Sequence, residues 1–141
     1  MSIFQSAYKA VVGGLVSLFR RPGVKVGTGA GYPRVEVHTV TESERMDKGD
    51  ALRRLSLTVE SMSTKSMDEC NDMLQKNLEL LAEGEINVAP EGFAVVGVYP
   101  QQLQDLTESA DTQNIIYRLL QSVDIFVSRT ETPGETLTET I

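Results

Sequence analysis

Between residues 52 and 81 the hydrophobic repeat of this chain changes period. Leu55, Leu57 and Val59 fall on every second position, and then Met67, Cys70, Met73, Leu74, Leu78 and Leu81 recur at helical spacing. A period of two lines one face of a strand, whereas a period of 3.6 draws one stripe along a helix. A strand must therefore run almost directly into a helix that packs on the same core. Ser66 with Glu69 three residues later forms a capping box, Asp68 and Glu69 place negative charge in the first turn, and Gly84 marks the stop. A chain so patterned is excluded from the all-α and all-β classes and expected to be α+β.

The remaining periodicities extend that expectation. Residues 34–40 alternate Val35, Val37 and Thr39 against Arg34, Glu36 and His38, which puts His38 on the polar face of a half-buried strand. Residues 41–50 are polar apart from Met46 and carry six charges, as expected for a long hairpin loop leading to the strand of Leu55. Residues 93–99 are apolar on both faces between Pro90 and Pro100, which predicts a strand inside the sheet. Residues 101–113 show no readable period. Residues 117–129 alternate as a final strand, with a helix over 115–120 as a competitor. At the other end, Ser2 and Gln5 make a second capping box ahead of Phe4, Ala7, Tyr8, Val11, Leu15, Leu18 and Phe19, the pattern of a helix of about 17 residues. Gly13 and Gly14 weaken it by about 1 kcal/mol each, and Pro22-Gly23 ends it. The expectation is a mixed or antiparallel sheet of about four strands with two main helices packed on it, in a single domain over residues 1–129. Residues 130–141, with five Thr and three Glu, read as a polar tail.

Composition narrows the function classes. At 141 residues, 40% hydrophobic and 23% charged, the chain can bury a core without disulfides or metals. One cysteine and one histidine cannot build a Cys/His zinc site, and Cys70 on the apolar helix stripe reads as a buried, inert thiol. The apolar run over residues 10–19 is half the roughly 20 residues that cross a bilayer, so the expected setting is a cytosol and no membrane partner. The glycines at 27, 29 and 31 lack the final x-x-G and the Lys-Ser/Thr of a phosphate loop, and Tyr32-Pro33 leads on to a strand, so they read as a connector. The net charge of −7 is uneven: residues 1–65 hold 10 of the 13 cations against 6 acids, and the remainder hold 3 against 14. Scattered cations and few aromatics argue against a nucleic-acid module, whereas opposite charges on opposite halves suit head-to-tail contact between copies.

No nucleophile with a base, no paired-carboxylate motif and no metal-ligand spacing is visible. The expectation is a non-enzymatic protein with no catalytic, cofactor-binding or metal-binding residues.

The order of elements resembles the tail-completion or tail-terminator family of long-tailed bacteriophages. The stretches that carry the resemblance are Tyr32-Pro33-Arg34-Val35-Glu36-Val37, the run Leu55-Ser56-Leu57-Thr58-Val59-Glu60 leading into the helix of Cys70 and Leu81, and the closing Tyr117-Arg118 to Asp124-Ile125-Phe126-Val127. The resemblance covers residues 3–129 and implies a virion protein, assembled in the host bacterial cytoplasm. Such a protein forms a hexameric ring with itself, caps the tail tube, and joins the tail-tube protein to the head-side connector or head-closure protein. DNA would only pass through the channel, whose lumen the acidic surplus would line. The charged loop supplies the candidate inter-subunit or tube contacts: Arg45, Asp47, Lys48 and Asp50, with Arg53 and Arg54 beside it. The alternatives are a neighbouring neck component, either a head-closure or a tail-tube protein, and a small ligand-binding α+β regulatory domain.

Overall fold

The computed structural model describes residues 7–27, 29, 31–45, 52–111 and 114–130. In chain order the elements are α1 (Tyr8–Phe19), β1 (Lys25–Val26), β2 (Arg34–Arg45), β3 (Leu52–Ser63), α2 (Met67–Glu83), a 3-10 turn (Ala89–Glu91), β4 (Phe93–Asp105), β5 (Glu108–Asp111) and β6 (Asn114–Arg129). The strands form one sheet in the order β1-β2-β3-β6-β4, and β5 pairs with β6 off that path. β1 pairs with β2 in parallel and the other pairings are antiparallel. The fold is thus α+β with two helices, as expected, but its mixed sheet has six strands and not about four. The two unforeseen strands, β1 and β5, are two and four residues long, too short to display a period.

Alternation decides which sheet face takes the helices. Leu55 and Leu57 of β3 lie opposite Ile125 and Val123 of β6, and these side chains join Val35, Val59 and Val127 in one buried layer. Ala10, Val11, Leu15 and Phe19 of α1 and Met73 and Leu81 of α2 pack on it. Burying each large aliphatic or aromatic side chain contributes about 1.5–3 kcal/mol. Among the described residues, the other face carries no helix.

α2 is held by its sequence signals and by polar ties to the sheet. Ser66 Oγ accepts the Glu69 backbone N–H at 3.0 Å, the cap predicted from the sequence. Asn77, 1% exposed, donates from Nδ2 to Ser61 Oγ at 3.0 Å and accepts from Arg21 Nη1 at 3.2 Å. Arg21 Nη1 also donates to the Phe19 carbonyl at 2.9 Å. One buried amide thereby links α2 to β3 and to the exit of α1.

Cys70 is fully buried, with Sγ 3.1 Å from the Ser61 carbonyl oxygen and 3.4 Å from that of Tyr117. Burial pushes its thiol from 9.0 up to about 11. In the unfolded chain the thiol loses its proton first, so the fully protonated folded form gives stability present below about pH 9 and lost as pH rises towards 11. Urea midpoints measured across that window should fall more for the wild type than for Cys70→Ala. Thiol reagents should label the native protein only through unfolding; rapid stoichiometric labelling at neutral pH would contradict this account.

Three sequence expectations need correction. First, the described part of α1 has 12 residues, and the capping box at Ser2 and Gln5 lies outside the described residues. No side chain of α1 caps its own start. Instead the Ala7 N–H donates to Glu42 Oε2 at 2.8 Å, so a carboxylate from the sheet satisfies a helix N-terminus, where the dipole favours it. Second, β2 does not stop near residue 40 but runs to Arg45, so half of the expected loop 41–50 is strand and residues 46–51 lie outside the described residues. A bulge between Thr39 and Thr41 shifts the register so that Glu42 lies opposite Leu55, on the helix-bearing face. Third, the apolar run at 93–99 is not interior: among the described residues β4 pairs with β6 alone and forms the sheet edge. A bulge between Val95 and Gly97 leaves Val96 unpaired and 59% exposed, and Tyr99 turns to the helix-free face, edge-on to Phe126 at 5.7 Å. The helix considered over 115–120 is strand, within β6.

Candidate functional site

Alternation makes the helix-free face of β2, β3 and β6 polar, and it should be solvated if alternation were all that mattered. It instead buries part of its charge, at Glu36 and Glu60. Glu36 on β2 lies directly opposite Glu60 on β3, and Met62 next along β3 pairs with Arg118 on β6. Like charges placed directly opposite destabilise a sheet, so this pair requires cations. Arg34 Nε lies 2.6 Å from Glu36 Oε2, and Arg118 Nε lies 2.5 Å from Glu60 Oε2. Arg118 also reaches Glu108 on β5 through Nη1, at 2.5 Å. The hydrogen bond to Glu60 holds the Arg118 guanidinium above its ordinary value, against the opposing effect of burial.

Arg34 is itself fastened from behind. Its guanidinium sits 4.8 Å over the Tyr32 ring and donates to the carbonyl oxygens of Gly29 and Gly31. The carbonyl oxygens of Gly29 and Gly31 thus serve as an anchor for Arg34. Tyr32, Arg34, Glu36, Glu60, Glu108 and Arg118 line an open cleft of about 280 Å³ together with Met62 and Ile116.

With both outer oxygens held by arginines, the inner oxygens converge on His38. Its Nε2 is 3.2 Å from Glu36 Oε1 and 3.6 Å from Glu60 Oε1. One donor atom from each of the three residues lies within 4.8 Å of the others. Glu60 and Glu36 are buried while the His38 side chain is 44% exposed, so the group is reached from solvent through the imidazole. Sequence reading placed His38 on the polar face but had no means of finding its partners, because Glu60 arrives through the β2–β3 register.

The six candidate contact residues scatter. Asp47, Lys48 and Asp50 lie outside the described residues, and Arg45 ends β2 opposite Leu52. Arg54 is exposed, opposite Ser43 and Phe126. Arg53 is 1% exposed on the helix-bearing face, with its guanidinium 5.7 Å from the Phe93 ring centroid and Nε 3.9 Å from Glu42 Oε2. Adjacent arginines thus have opposite fates: the charge of Arg53 acts within its own chain, and that of Arg54 faces outward.

No family model and no curated protein sequence matches the chain. The fold does have a counterpart. The structure is similar to a chain from the virion of a native gene transfer agent particle, with a TM-score of 0.59 at 11% identity, over 87% of this chain and 92% of that one. That likeness is one of fold. It spans nearly the whole of both chains, so the two share an architecture and not merely a common strand-helix unit.

Proposed function

We propose that the chain is a non-enzymatic structural protein of a phage-like virion, and specifically a tail terminator: a hexameric ring that caps the tail tube and joins it to the head-side connector. The observation that carries this reading is the fold likeness to a virion chain over nearly the full length of both proteins. The element order that resembles the tail-terminator family supports the finer assignment.

Two features of the fold favour a head-to-tail ring. Among the described residues the sheet is open, with β1 at one edge and β4 at the other, which gives a head-to-tail contact two different surfaces to join. Along the β4 edge and the turn after it, Val96, Tyr99, Leu103 and Leu106 are exposed. An edge strand with exposed apolar side chains is a ready surface for another chain, here a second copy of this one. Arg54, with Arg45, Asp47, Lys48 and Asp50 of the charged segment between β2 and β3, supplies the further contact to a neighbour or to the tube.

Light scattering with negative-stain imaging should find six-fold rings, alone or on tail tubes assembled from the tail-tube protein of the same genome. The double variant Val96→Asp/Leu103→Asp should keep its far-UV spectrum and lose the ring. Arg54→Glu should weaken assembly without unfolding the chain. A protein that remains monomeric and is not recruited by tubes would overturn the terminator assignment, and recruitment by the portal side alone would transfer it to head closure.

A further inference from the structure

We propose that Glu36, His38 and Glu60 form a binding site for a divalent transition-metal cation, zinc above all, coordinated by Glu36 Oε1, His38 Nε2 and Glu60 Oε1. The inference is independent of the virion role. It rests on three observations about one small region of the helix-free face.

The first is spacing. Zinc holds nitrogen and oxygen ligands at about 2.0–2.2 Å, which sets tetrahedral ligands about 3.4 Å apart. The His38 to Glu36 and His38 to Glu60 separations, 3.2 and 3.6 Å, bracket that edge length, and all three donors lie within 4.8 Å. A modest inward turn of the two carboxylates closes the third edge. As a hydrogen bond, by contrast, 3.6 Å is too long.

The second is orientation. Each carboxylate has its outer oxygen pinned by an arginine, Arg34 on Glu36 and Arg118 on Glu60, and so has its inner oxygen turned towards the imidazole. Ligating carboxylates in metal sites are commonly held by such outer partners, which fix their direction before the metal arrives. The arginines also neutralise two carboxylates, so affinity should be moderate.

The third is the donor set. One imidazole with two carboxylates suits zinc and its neighbours in the transition series, whereas magnesium and calcium favour all-oxygen shells. All three ligands come from paired strands, Glu36 opposite Glu60 and His38 two positions along β2, so the triad is set by a rigid sheet and not by a loop. The exposure of His38 leaves an approach from solvent and room for a fourth ligand.

Isothermal titration of the chelator-treated full chain with zinc chloride at neutral pH tests this. One zinc per chain is expected, undisturbed by millimolar magnesium. His38→Ala and Glu60→Gln should each weaken binding at least tenfold, and Cys70→Ala, on the buried helix side, should bind as the wild type does. If Glu60→Gln does not fold, Glu36→Gln takes its place. Zinc uptake unchanged in His38→Ala, no uptake at all, or an anomalous-scattering peak elsewhere in zinc-soaked crystals would each overturn the site.

Discussion

Arg53→Ala is expected to lower the free energy of unfolding by about 3 kcal/mol or more, while Arg54→Ala should change it by less than about 0.5 kcal/mol. The side chains are adjacent in sequence and identical in chemistry, so the contrast isolates their environment. Arg53 lies against the Phe93 ring and near Glu42, whose carboxylate also accepts the Ala7 N–H at the start of α1. Truncating Arg53 opens a space beneath Phe93 and leaves the Glu42 carboxylate, only 13% exposed, without that nearby cation. Removing one partner of a buried pair is costly because the remaining charge stays desolvated. Arg53→Met with Glu42→Gln should therefore recover part of the loss, since the charge and its partner leave together. Urea unfolding of the three variants measures this directly. Equal midpoints for Arg53→Ala and Arg54→Ala would show that the buried arginine carries no structural load.

The second large contrast concerns Gly13 and Gly14, neighbours inside α1. Helix propensity treats them alike, worth about 1 kcal/mol each on replacement by alanine. The packing separates them. A Cβ on Gly13 meets nothing within 4 Å, so Gly13→Ala should stabilise the protein by about 0.5–1 kcal/mol. A Cβ on Gly14 falls 2.7 Å from Ile86 Cγ2 and 3.2 Å from the Asn87 carbonyl oxygen. The strain of overpacking, about 1–3 kcal/mol, outweighs the propensity gain, so Gly14→Ala should destabilise. Thermal unfolding should show melting temperatures moving in opposite directions. A rise for both variants would mean that the segment from Ile86 to Asn87 yields, and that α1 does not need a glycine to approach it.

These contrasts locate what could be read from sequence. The strand of Leu55, Leu57 and Val59, the capped helix from Met67 and the burial of Cys70 follow from local periodicity, because each element shows its buried face within its own residues. The edge position of β4 could not be read that way. Seven apolar residues in a row report that a strand is hydrophobic, but a bulge at Val96 and a turn of Tyr99 to the far face depend on its pairing with β6. The opposite environments of Arg53 and Arg54 were hidden for a similar reason. Arg53 and Arg54 sit beside a charged turn in sequence, yet strand alternation sends one inward and the other out.

The charge cluster on the helix-free face was the least legible feature. Glu36-x-His38 on one strand is an ordinary polar face, and Glu60 an ordinary acid on another. Only the β2–β3 register sets Glu36 opposite Glu60, and only the β3–β6 register brings Arg118 to them. By itself, the sequence determined the α+β class, the two helices, the core-facing residues of the central strands and the uneven charge, since all of these are encoded in periods and counts along the chain. Tertiary structure alone decided the strand order, the bulges at Thr39/Thr41 and Val95/Gly97, the inward turn of Arg53 and Glu42, and the convergence on His38. The physical reason is that register and bulges are settled by the fit between strands distant in sequence, and a shift of one residue exchanges the two faces of a sheet.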